Sequence, residues 1–119
     1  MSTTHETREG GLLEWQLTLY PDNHSDRRNL ILHVLTVPLF WAGTVAMVTA
    51  AFSAWWLAPV GLFLAVLAIA LQGRGHKLES NAPVPFRGPL DVVARIFVEQ
   101  WITFPRFLLS GGFARAWRR

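Results

Sequence analysis
From residue 29 to residue 73 the chain carries no Asp, Glu, Lys or Arg, and the apolar positions show no recurring polar face. Arg28 closes this stretch on one side and Arg74 on the other. A bilayer core accepts about 20 apolar residues per helix. The stretch is too long for one crossing and suits two. Its middle carries a break signal, Ala54-Trp55-Trp56-Leu57-Ala58-Pro59. Tryptophan concentrates at membrane–water interfaces, and proline is tolerated in the first turn of a new helix. The pattern therefore predicts helices over 30–53 and 57–72, folded as a transmembrane hairpin. Helices satisfy their own backbone polar groups, as hydrocarbon requires. A soluble hairpin would keep a polar face on each helix, and neither segment has one.

Polar residues return on both sides. Residues 1–11 read as a flexible tail in which His5 is solvated. Residues 12–20 form a short apolar run ended by Pro21. They are expected as an interfacial helix anchored by Trp15 and Tyr20. Pro21-Asp22-Asn23-His24-Ser25-Asp26 is turn and cap chemistry for the first long helix. Residues 90–104 predict a third helix, amphipathic and ended by Pro105, which either lies in the interface or is re-entrant, the alternative being a crossing with its charges turned inward. On it Asp91, Arg95 and Glu99 recur every four residues, so Arg95 is expected to pair with both acids. Gly73 and Gly75 are expected to end or bend the second span. The fold class is an all-α membrane protein, with 1–119 as a single integral membrane domain.

Composition sharpens this picture in two ways. Cysteine is absent, so disulfides and thiolate metal sites are excluded, leaving histidine and carboxylate as strong ligands. The net charge of +3 is unevenly placed. Arg27, Arg28, Arg74, Lys77, Arg87, Arg106, Arg115, Arg118 and Arg119 all fall on the side of the termini, and the turn between the spans has no charge. The positive-inside rule then puts both termini in the cytoplasm. Anionic lipid headgroups are the simpler partner for these arginines, and nucleic acid is not expected. The polar first 28 residues argue against a cleavable signal peptide, so the first span reads as a retained anchor.

The hairpin makes neighbours of residues distant in the chain. His33 lies one turn inside the apolar stretch and shares a face with Asn29. An ionisable group at that depth is a functional candidate, the alternative being a neutral histidine bonded to a neighbouring helix. His76 and Glu79 lie just past the second span at i, i+3. His24 belongs to the capping turn, because nine residues of continuous helix would turn it away from His33. Imidazoles with one carboxylate suit non-haem Fe(II), with zinc as the alternative.

Two motifs carry a resemblance. The first is His24, Asn29, Leu32-His33 and Pro38. The second is Gly75-His76, Glu79, Asn81 and Pro83. Together they resemble the membrane 2-hydroxy fatty acid dioxygenases of fungal fatty-acid α-oxidation and their bacterial relatives, over about 20–110. Leu78 and Ala82 depart from that pattern, which usually has an aromatic and a basic residue there. The resemblance implies an Fe(II)-dependent membrane enzyme that uses O2 to remove one carbon, as CO2, from a 2-hydroxy fatty acid. It implies His24, His33 and His76 as the catalytic histidines and, with Glu79, as metal ligands. Asn29 and Asn81 would support them. It places the protein nearer the bacterial branch, hence in an inner membrane, and leaves homo-oligomerisation open. The acyl chain is expected between the spans, against Phe40, Trp41 and Leu64, with Arg27, Arg74, Lys77 or Arg87 holding its carboxylate. The competing readings are a non-catalytic scaffold or lipid-binding protein, and a zinc-dependent hydrolase. Metal content separates them.

Overall fold
A computed structural model describes residues 8–119; His5 and the first seven residues of the expected tail lie outside the described residues. The order is α1 (Gly11–Leu19), a 3-10 turn (Tyr20–Asn23), α2 (Arg27–Ala50), α3 (Leu57–His76), α4 (Pro89–Val98), a π turn (Glu99–Thr103), α5 (Phe104–Leu109) and α6 (Gly112–Arg118). No strand occurs among the described residues.

Helix α2 starts where Asp26 adopts an extended backbone and its side chain accepts from the Arg28 N–H at 2.8 Å. This caps one of the orphan donors of the first turn. Pro38 sits inside α2 without ending it. Both α2 and α3 are long and apolar enough to cross a membrane. They pack antiparallel at close range. A Cβ on Gly43 would lie 2.6 Å from the Gly61 carbonyl oxygen and 2.8 Å from the Ala65 nitrogen. At the other end Gly75 meets Asn29, leaving no room for a methyl group. These glycines let two backbones approach, as small residues do between apolar helices. Gly73 and Gly75 were expected to end or bend α3; they lie within it, and α3 runs on to His76. Away from this seam Leu35, Val45, Val48, Phe63 and Val66 are exposed, an apolar outer surface of the kind that marks a membrane or partner contact.

The third helical segment differs from expectation. Pro105 does not end it. Proline has no N–H and cannot continue an α-helical ladder. The chain widens into a π turn in which Phe104 N–H reaches the Glu99 carbonyl, and then continues as α5. The Gln100 carbonyl, which such a turn would bond to residue 105, instead accepts the Trp41 indole N–H at 2.7 Å. The same turn aims Gln100 at α3, where its amide and that of Gln72 bond each other reciprocally at 2.8 and 2.9 Å. Gln72 also donates to Thr36 at 3.0 Å. Buried polar groups are tolerated when satisfied in this way. Tyr20, Leu30, Val37, Phe104, Phe107 and Ala116 form one core, and Phe40, Ala65 and Ala68 a second.

Candidate metal centre
His24 follows the 3-10 turn, and its Nδ1 lies 3.0 Å from the Tyr20 carbonyl oxygen. His33 is the seventh residue of α2, with Nδ1 3.0 Å from the Asn29 carbonyl oxygen. A carbonyl only accepts, so both rings carry a proton on Nδ1, and the neutral form of each presents a lone pair at Nε2. These two Nε2 atoms face each other at 3.3 Å. Glu99 Oε2 lies 3.4 Å from each. The His76 ring completes the group, its centroid 4.7 Å from that of His24 and 5.2 Å from that of His33. Its Nδ1 is buried without a hydrogen-bond partner. One ligand atom from each of the four residues lies within 4.8 Å of all the others.

Acceptors converging in a buried space repel unless a positive charge sits among them. His33 is fully buried and His24 nearly so. Burial also pushes the His24 pKa down, which keeps its Nε2 free for a ligand. Two donors about 2.1 Å from one ion and spread at roughly the tetrahedral angle stand about 3.4 Å apart. The spacing here fits that, and the orphaned His76 nitrogen is the kind of atom a cation satisfies. The group could hold a metal ion.

Tyr20 braces this centre from two directions. Its hydroxyl donates to Glu99 Oε2 at 2.7 Å, and its ring stacks on His24 with centroids 3.6 Å apart. Burial and the Glu99 carboxylate push the Tyr20 phenol well above its usual pKa, so it stays a donor.

Glu79 does not join the group. Its oxygens accept from the Ser25 N–H at 3.0 and 3.1 Å, the Asp26 N–H at 3.1 and 3.0 Å, the Ser25 hydroxyl at 3.2 Å and the Asn29 amide at 2.8 Å. A carboxylate at a helix N-terminus is favoured by the unpaired N–H groups there. Burial would raise the Glu79 pKa, but the bonds from Ser25, Asn29 and Asp26 hold it below the usual value. Glu79 thus fixes the turn that carries His24, and Glu99 takes the position foreseen for it. Asn29 supports the centre through Glu79 and through its carbonyl bond to His33. Asn81 donates to the Asp22 carbonyl at 2.9 Å, tying the loop after α3 to the same turn. Glu99 was passed over because the four-residue repeat assigned it to Arg95, and Tyr20 because it was expected, with Trp15, as an interfacial anchor; both aromatic residues are buried instead. Arg95 does reach Asp91, at 3.7 Å, as expected; it also donates to the Val84 and Pro85 carbonyls, at 2.9 and 3.1 Å, while the Glu99 carboxylate meets Tyr20, His24 and His33. The signal for Glu99 was present: an acid between Val98 and Gln100-Trp101 on a mostly apolar helix.

A cavity of about 690 Å³ reaches His24, His76 and Glu99. It lies between α1, α3, α4 and the loop after α3, with Trp15, Ile69 and Val92 among its walls. The space between α2 and α3, foreseen for an acyl chain, is filled by Phe40, Ala65 and Ala68. Phe40, Trp41 and Leu64 are not cavity residues; Trp41 stacks on Trp101 at 5.4 Å. Of the four cations foreseen for a carboxylate, only Lys77 lines the cavity. Arg27 donates to the Trp117 carbonyl at 2.7 Å, on the side of α6. Arg74 and Arg87 are exposed outside the cavity, the backbone N–H of Arg87 donating to Asp91 at 3.0 Å.

The fold and centre define a class: all-helical proteins with two membrane-length helices and a buried histidine–carboxylate group able to hold a metal ion. The chain belongs to the Mpo1-like family, described as 2-hydroxy-palmitic acid dioxygenase Mpo1-like, whose model matches residues 12–107. This is the family that the two histidine motifs resemble. No curated protein and no solved structure matches the chain.

Proposed function
We propose that this chain is an integral membrane, Fe(II)-dependent dioxygenase that shortens 2-hydroxy fatty acids by one carbon. The reading rests on one observation above all. Two imidazoles tied through Nδ1 to carbonyls turn their lone pairs, with Glu99, toward a common point beside His76. Membership in a dioxygenase-named family supports it. His24, His33, His76 and Glu99 would hold the ion. When bound, Fe(II) supplies the redox chemistry that lets O2 react with a 2-hydroxy acid, one carbon leaving as CO2.

The residues around the ion have separate tasks. The Tyr20 and Asn29 carbonyls fix the tautomers of His24 and His33, which metal-ligating histidines require. Tyr20 orients the carboxylate of Glu99, and Glu79 clamps the turn that carries His24. Lys77 receives the substrate carboxylate at the mouth of the cavity, while the apolar walls exclude water from the reacting end. In this reading α2 and α3 cross a bacterial inner membrane as a hairpin. The arginines and both termini lie on the cytoplasmic side among lipid headgroups, and α1 and α4 lie near that interface. The whole of 1–119 is one membrane domain.

The test is metal analysis of detergent-purified protein, followed by anaerobic loading with Fe(II) and incubation with 2-hydroxyhexadecanoic acid and O2. Stoichiometric iron and a fifteen-carbon acid are expected. His33→Ala and His76→Ala should lose iron while still inserting into membranes. Zinc in place of iron, or iron with no shortened product, would overturn the proposal.

A further inference from the structure
The interior of α3 holds three glycines, and two of them have a packing reason. A Cβ on Gly61 or Gly75 would run into α2. Gly73 differs, because a Cβ there would meet nothing within 4 Å. Glycine weakens a helix interior relative to alanine, so at Gly73 the fold bears that weakness without gaining a close contact. What Gly73 borders is the cavity. Ile69, Gln72, Gly73, His76 and Lys77 share one face of α3, and all five line it. Val92, Ile96 and Glu99 line the facing wall from α4 and the π turn. Along α3 the lining runs from His76, at the metal centre, past Gly73 to Ile69. Any side chain at 73 would stand between its neighbours at i±4, Ile69 and Lys77, and project into this space.

We infer that Gly73 is a specificity-determining residue: its missing side chain leaves the trough between α3 and α4 in which the unbranched acyl chain of the substrate lies. The inference deepens the dioxygenase reading and rests on it. The carboxylate and 2-hydroxyl stay at the His76 and Glu99 end, and the first methylenes pass over Gly73 toward Ile69 and Ile96. Trp15, Leu19, Val84 and Phe86 add apolar wall suited to that occupant, with Gln16 and Arg95 among the polar residues that also line the cavity.

The test is equilibrium binding of radiolabelled 2-hydroxyhexadecanoic acid to the full iron-loaded chain in nanodiscs, kept anaerobic so that no turnover occurs. Excluding even two methylenes from the trough corresponds to about tenfold in affinity. Gly73→Leu should therefore bind at least that much more weakly, with Gly73→Ala between it and wild type. Both should keep the iron content of wild type and melt no lower than it, because a Cβ at 73 meets no protein atom within 4 Å and glycine is the weaker helix former. Val92→Phe, on the facing wall, should weaken binding likewise and decides the matter if Gly73→Leu folds poorly. Wild-type affinity in these variants would overturn the acyl trough while leaving the dioxygenase reading intact. Failure of the iron-loaded wild type to bind the acid would overturn both.

Discussion
Replacing Glu99 by glutamine should stabilise the metal-free protein and destabilise the metal-loaded one. Without a cation, the Nε2 lone pairs of His24 and His33 and the Glu99 oxygen face one another at 3.3–3.4 Å. A buried acceptor with no donor costs about 1–3 kcal/mol. The glutamine amide can donate to one of these imidazoles, and the Tyr20 hydroxyl, which now donates to Glu99 at 2.7 Å, can turn to accept. Metal-free Glu99→Gln should therefore exceed metal-free wild type by about 1–3 kcal/mol. Metal reverses the order. At a hundredfold excess over its dissociation constant, a metal stabilises the chain that binds it by about 2.7 kcal/mol. Losing a residue that merely supports a ligand typically weakens metal binding about 10–100-fold. Losing an anionic ligand should do more, which removes that whole stabilisation. The assay is unfolding of both proteins in detergent, each with chelator and with anaerobic Fe(II). The stability order should cross over between the two conditions. If wild type is the more stable with chelator and neither protein responds to metal, Glu99 is an ordinary ion-pair partner of a protonated histidine, and the metal-centre argument fails.

Other perturbations separate the supporting parts. Glu79→Ala leaves the Ser25 and Asp26 N–H groups without their acceptor; a loss of about 1–3 kcal/mol is expected, together with weaker metal binding through the displaced His24, both read from unfolding with and without metal. Gly75→Ala puts a methyl group against Asn29 Oδ1 and within 3.1 Å of Leu32 Cδ1. Overpacking of this kind costs about 1–3 kcal/mol, whereas Gly73→Ala should melt no lower than wild type; equal midpoints for the two variants would contradict the helix contact. Stability should also vary with pH through Asp91. Its hydrogen bonds from Arg8, at 2.7 and 2.9 Å, hold its pKa down from 3.8 to about 2. A depressed carboxylate contributes stability above its unfolded value and loses it as pH falls through the folded one. Wild type should therefore lose its advantage over Asp91→Asn between pH 3.8 and about 2, and a pH-independent difference between the two would refute the assignment.

What could be read along the chain was whatever depends on near neighbours. The uncharged stretch, the double tryptophan and Pro59 determine two long apolar helices with a turn between them, because hydrophobicity and proline geometry act locally. The motif residues His24, His33 and His76 were legible as well. Each stands at an identifiable place, in a capping turn, one turn inside the apolar stretch, or at a helix end. Only the folded chain decided which carboxylate meets them. Glu79 is near His76 in sequence, but the free N–H groups at the start of α2 claim its oxygens. Glu99 is far away in sequence, and it arrives because α4, whose helical backbone it continues, packs across the cavity from α3, where the Tyr20 hydroxyl holds its carboxylate. The acyl space followed the same logic. Gly43 and Gly61 bring α2 and α3 too close to leave a gap, and the cavity opens on the other side of α3, against α4. A local pattern specifies where a helix runs, whereas the destination of a side chain depends on competition among donors and on the space that packing leaves, and that competition exists only in the folded chain.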